Sequence, residues 1–148
     1  MYLDKICQMN NHNDLSDLKR YARDRIDAQR YPNDAHIFHP KKCPTCGVVP
    51  LELMIEHHSG SKANNFRGII FGTCTECNDT ARIFSFTGEH RTPEREEKPM
   101  CRCGSTHFLV GECERIEREE GLLGFFDEGV VVGKCAACGD KRAFVYTD

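Results

Sequence analysis

The chain contains no tryptophan and no apolar run approaching the roughly 20 residues that span a bilayer. No membrane partner is expected, and the start Met1-Tyr2-Leu3-Asp4-Lys5-Ile6-Cys7 turns polar too early to resemble a secretory signal. The expected compartment is the reducing cytoplasm, where close cysteine pairs serve as metal-binding thiolates rather than disulfides. Positive charge is also in short supply, since 20 Lys and Arg stand against 23 Asp and Glu for a formal net charge of −3. A uniformly basic nucleic-acid module is excluded on that count. Three catalytic signatures are missing: a glycine-rich phosphate loop with its lysine, a nucleophile elbow, and the histidine and glutamate spacing of a catalytic zinc helix. The expectation is therefore a protein without enzymatic activity.

What the chain does have is cysteine, ten in 148 residues. Eight of them form four close pairs, Cys43/Cys46, Cys74/Cys77, Cys101/Cys103 and Cys135/Cys138. Two pairs per site make two four-thiolate metal sites, and such sites suit Zn2+, a d¹⁰ ion with no redox change and no strong geometric demand of its own. Two zinc ions per chain are expected. A site closed by four protein ligands leaves no position for substrate, so the metal is read as structural.

The surroundings of the pairs repeat. Cys43-Pro44-Thr45-Cys46-Gly47 precedes an apolar run, a polar loop, and Gly68-Ile69-Ile70-Phe71-Gly72-Thr73-Cys74-Thr75-Glu76-Cys77. Cys101-Arg102-Cys103-Gly104 precedes Phe108-Leu109-Val110, a charged loop, and Gly129-Val130-Val131-Val132-Gly133-Lys134-Cys135-Ala136-Ala137-Cys138. Two copies of one unit are the simplest account. Each unit resembles a zinc ribbon with rubredoxin-like knuckles, over about residues 43 to 88 and 101 to 148. The resemblance implies a mostly β fold with two tandem zinc ribbons, each a small three-stranded antiparallel sheet clamped at one end by two cysteine turns. It selects no substrate, because ribbons serve transcription, RNA processing, ribosomes and enzyme add-ons alike.

The second unit departs from that pattern by opening with Cys-x-Cys. Either the turn adapts or His107 or Cys113 replaces one thiolate; Cys101 and Cys103 are preferred, because Gly104 follows as Gly47 follows Cys46. The rubredoxin-like knuckles also admit iron and electron transfer, but the missing tryptophan and uneven spacing argue against an electron carrier. Cys43-Pro44-Thr45-Cys46 looks superficially like a thioredoxin-type turn without the βαβ context. Of the leftover cysteines, Cys113 fits a small buried apolar residue, and Cys7 has no assigned role.

The chain divides into an N-terminal helix and lead-in (1–42), ribbon 1 (43–90), a charged, proline-framed linker (91–100) and ribbon 2 (101–148). Asn13 or Asp14 can cap a helix running to about Arg30, with Leu15, Leu18, Ala22 and Ile26 on one stripe. Pieces under fifty residues bury too little to fold securely, which is why a metal staple is expected in each ribbon.

Two kinds of macromolecular partner follow. The N-terminal segment has eight basic and six acidic residues, whereas both ribbons are net acidic. Nucleic acid is therefore expected on the N-terminal half, through Arg20, Arg23, Lys41 and Lys42, with Lys62 and Arg67 meeting phosphate and Phe66 stacking on a base from the 57–67 loop. The alternative is a protein-interaction adaptor that uses the 117–128 loop and the N-terminal helix: the loop is acidic at its ends and carries Leu122, Leu123, Phe125 and Phe126 between glycines, a tip suited to a partner's groove. Exposed edges of short strands make a homodimer a further expectation.

Overall fold

The computed structural model describes residues 14–26, 34–87, 92–117 and 125–148. Asp14 accepts a hydrogen bond from the N–H of Ser16 at 2.9 Å and so satisfies one of the orphan donors that open helix α1 (Ser16–Arg25). The described helix ends at its C-cap Ile26, and residues 27–30, part of the expected helix, lie outside the described residues; Leu18, Ala22 and Ile26 form a buried stripe. That stripe packs on Cys113, Val130 and Val132. Asp17 fixes its orientation by reaching Lys134 at 3.0 Å and Lys141 at 3.3 Å.

Eight strands follow among the described residues: β1 (Ala35–Pro40), β2 (Leu51–His58), β3 (Gly68–Cys74), β4 (Thr80–Phe86), β5 (Pro93–Glu97), β6 (His107–Glu117), β7 (Phe125–Cys135) and β8 (Lys141–Thr147). Alternate residues of β2 and β3 point inward, with Leu51, Leu53 and Ile55 facing the core beside Ile70 and Cys74. Every ladder is antiparallel, and the path through the sheet runs β4-β3-β2-β6-β7-β8.

The three-stranded ribbons of the sequence reading are both there, as β2-β3-β4 and β6-β7-β8, but they are joined into one sheet. The junction is short: Leu51 pairs with Phe108 and Glu52 with His107. On its far edge Leu51 pairs with Cys74, and Phe108 pairs with Cys135, so the pairing pattern repeats about the Leu51/Phe108 contact. The irregularities repeat too, at Ile70/Phe71 between β3 and β4 and at Val131/Val132 between β7 and β8.

Away from the junction the edges of β2 and β6 are free to take other strands. β5 pairs with residues 55–58 of β2, and β1 pairs with residues 111–116 of β6. Each of these strands precedes the first knuckle of its own repeat and adds to the sheet of the other. The exchange is reciprocal, and it uses residues read from the sequence as lead-in and linker.

The two ribbons consequently share a core. Leu51, Leu53, Ile55, Phe66, Ile70 and Phe84 from the first lie in one buried cluster with Phe108, Val110, Val131 and Val145 from the second. Each such side chain contributes on the order of 1.5–3 kcal/mol by leaving water. The 59–67 turn is held onto this core by the N–H of Phe66, which donates to the carbonyl of Tyr146 at 2.7 Å. Among the described residues, no helix is long and apolar enough to cross a membrane.

Candidate metal centres

Each ribbon brings four cysteines to its junction end. The first pair of each set lies in a turn preceding β2 or β6, and the second lies where β3 or β7 turns back into β4 or β8. The turns are alike in detail. Cys43 and Gly47 exchange backbone hydrogen bonds, and the N–H groups of Cys74 and Cys135 donate to the carbonyls of Asp79 and Asp140. Both first turns need a left-handed residue after the cysteine pair, supplied by Gly47 (φ 84°) and Gly104 (φ 94°), a conformation glycine adopts without steric cost. Cys-x-Cys is accommodated because Gly104 donates its N–H back to the Cys101 carbonyl at 2.8 Å, closing a tighter turn.

The sulfurs converge into two clusters, Cys43/Cys46/Cys74/Cys77 and Cys101/Cys103/Cys135/Cys138, with all ligand atoms of a set within 4.8 Å of one another. Cys43 and Cys77 approach to 3.6 Å, Cys101 and Cys138 to 3.5 Å, and Cys103 and Cys135 to 3.6 Å. A tetrahedral ion with metal–sulfur bonds of about 2.3 Å requires sulfurs about 3.8 Å apart. The donor set and spacing therefore fit a four-coordinate metal. Cys113 is not a fourth ligand: it lies in the helix-facing cluster, and its thiol is pushed up to about 11 chiefly by burial.

The electrostatics of the two clusters match. The N–H groups of Cys46 and Thr45 point at Cys43 and lower its thiol to about 7. Burial raises Cys135, but the N–H groups of Cys138 and Ala137 outweigh it and bring the thiol down to about 6. Cys46 is pushed up to about 12, first by burial and then by its thiol neighbours. One thiolate per site is thus stabilised by the backbone, while the remaining charges need a cation among them. A metal cation held there would supply it and displace the protons.

The sequence-predicted nucleic-acid residues separate into three groups. Arg20 and Arg23 are exposed on α1, and Lys42 and Lys62 are exposed as well. Lys41 is not free for phosphate: its Nζ sits 2.9 Å from Glu112 Oε1. Arg67 donates to Asn65 and to the Phe66 carbonyl, and its guanidinium lies 4.6 Å from the Phe86 ring centroid. Phe66 overturns the expectation of a base-stacking platform, because the ring is 1 % exposed and stacks edge-on with His57 inside the core. An aromatic residue between Asn65 and Arg67 reads locally as a loop tip, and it is buried by His57 and Phe84 of its own ribbon together with Tyr146 of β8.

Of the adaptor residues, Leu122 and Leu123 lie outside the described residues, as does Cys7. Phe125 and Phe126 belong to the backbone of β7, opposite Glu117 and Ile116. His57 and His58 end β2, and both are buried and take separate partners, Glu97 at 3.0 Å and Glu56 at 2.7 Å. Sequence reasoning missed the His57/Glu97 pair because it depends on β5 crossing to the other repeat. Models of known protein families, curated proteins and solved structures yield no match to the chain.

Proposed function

We propose that the chain is a non-enzymatic scaffold stapled by two zinc ions, and that it binds nucleic acid through the outward face of α1. Zinc is assigned on donor chemistry: four thiolates closing a tetrahedral site suit a structural d¹⁰ ion and leave no coordination position for a substrate. Iron in the same sites would colour the protein red.

One observation carries the nucleic-acid reading. Asp17, 44 % exposed, is paired with Lys134 and Lys141, so the other charged residues exposed on α1 are Lys19, Arg20, Arg23 and Arg25 against Asp24. The face is net basic although the chain is acidic overall. Such a patch contacts phosphates without reading bases, and its affinity falls as salt rises. The base-stacking contribution assigned to Phe66 is dropped from this reading.

Fluorescence anisotropy of labelled single-stranded RNA, single-stranded DNA and duplex DNA tests it, at low and physiological salt with metal-loaded protein. The expected result is salt-sensitive binding that Arg20→Glu with Arg23→Glu abolishes while metal content stays unchanged. Absence of binding at low salt, or binding indifferent to the double substitution, would contradict it. The adaptor reading through residues 117–128 would then lead.

A further inference from the structure

The repeat places two equivalent seams between the ribbons. At one, Ile83, Phe84 and Ser85 of β4 face Lys41 and Glu112. At the other, the corresponding Phe144, Val145 and Tyr146 of β8 face His57, Arg95 and Glu97 across a cavity of 280 Å³, with Ser61 and Lys62 from the β2–β3 turn at its side.

The two seams are filled differently. In the first, Lys41 and Glu112 form an ion pair at 2.9 Å that is 17 % and 13 % exposed, so its cation is already neutralised. In the second, the carboxylate of Glu97 is engaged by His57 at 3.0 Å. No ion pair among the described residues engages Lys62 or Arg95. Arg95 stands directly opposite His57 in the β2–β5 register, which puts both side chains on one face of the sheet, toward the cavity. Two exposed cations that no carboxylate among the described residues engages thus line one concave space, with Ser61 and the His57 imidazole beside them.

The geometry points to an oxyanion site in this seam that takes a phosphate group, either free or as the terminal phosphate of a larger molecule. Lys62 supplies a point charge and Arg95 a planar fork of donors suited to phosphate oxygens. Ser61 Oγ accepts the N–H of Arg67 at 3.1 Å and lies 3.5 Å from His57 Nδ1, so this hydroxyl helps to shape the wall of the site while the two cations supply its charge. The half-buried Phe144 gives the cavity an apolar wall for whatever the phosphate is attached to. This site involves no residue of α1 and stands or falls separately from the nucleic-acid reading of that helix.

The test is an NMR titration of full-length, metal-loaded protein at constant ionic strength, following the His57 imidazole and the backbone amides around Lys62 and Arg95. The probes are inorganic phosphate, a 5′-phosphorylated trinucleotide and the same trinucleotide with a 5′-hydroxyl. Saturable shifts are expected with phosphate, weakened at least tenfold by Lys62→Gln with Arg95→Gln and unaffected by Arg82→Gln at the other seam. Tighter binding of the phosphorylated trinucleotide than of inorganic phosphate identifies a strand end as the source, and equal affinities identify free phosphate. Shifts that fail to saturate, or that are equal in the wild type and the double variant, would overturn the site.

Discussion

His57 Nε2 lies 3.0 Å from Glu97 Oε1 across β2 and β5, and at the equivalent place in the other half Glu114 Oε1 lies 2.9 Å from His39 Nε2 across β6 and β1. The two residue types have changed places, acid for base, while the cross-strand geometry is kept. Both contacts are diagonal, spanning strands that belong to different repeats, and both exist only because β1 and β5 are exchanged. The pairs differ in burial: the His57 side chain is 11 % exposed and that of His39 is 46 % exposed.

That difference predicts unequal costs. His57→Ala removes a buried ring packed on Phe66 and should destabilise the fold by about 1–3 kcal/mol, whereas His39→Ala should stay within about 0.5 kcal/mol. Urea titration of the two variants measures both. Equal effects would mean that the two halves are equally packed at this point.

Phe108 stands at the junction of the ribbons and packs edge-on against Phe144, with ring centroids 5.2 Å apart. Phe108→Ala should cost about 3–5 kcal/mol and lower the stability of both ribbons together. Probes placed in each ribbon should still report one unfolding transition. A second transition, confined to residues 101–148, would show that the ribbons do not share their core energetically.

Gly111 has no room for a side chain, since a Cβ there would come within 2.2 Å of Phe38 Cζ on β1. Gly111→Ala should loosen β1 from β6, at a cost of about 1–3 kcal/mol, and speed amide exchange over residues 111–116. Adding Phe38→Ala removes the clash, so the double variant should lose less than the sum of the singles. Additive losses would place the strain elsewhere.

Burial raises the Cys113 thiol from an ordinary 9 to about 11, so the folded protein holds this proton at pH values where the unfolded chain releases it. Its contribution to stability is complete below about pH 9 and is lost as the pH rises toward about 11. The metal-loaded wild type should therefore weaken over that interval more steeply than Cys113→Ala. Parallel pH profiles for the two proteins would contradict the assignment.

Knuckles were legible because their information is local: a pair of cysteines one or two residues apart, with Gly47 or Gly104 behind it, defines the turn and the ligand together. The apolar stripe of α1 was legible for the same reason, through Leu18, Ala22 and Ile26. β5 was not. Glu94-Arg95-Glu96-Glu97 reads as a solvated linker, and its strand state comes from backbone pairing with the part of the β2 edge that lies beyond the ribbon junction. Phe66 and Lys41 were misread for a related cause. Each looks free beside polar neighbours, and each is claimed by a residue far along the chain, Phe66 by Tyr146 and Lys41 by Glu112.

The most direct measurement is the metal content of reduced, purified protein, by elemental analysis together with native mass spectrometry. Two zinc ions per chain are predicted, falling to one in Cys74→Ser, because only the Cys43/Cys46/Cys74/Cys77 site loses a ligand. Fewer than about two zinc ions in the wild type, or iron in their place, would contradict the account of two closed structural zinc sites.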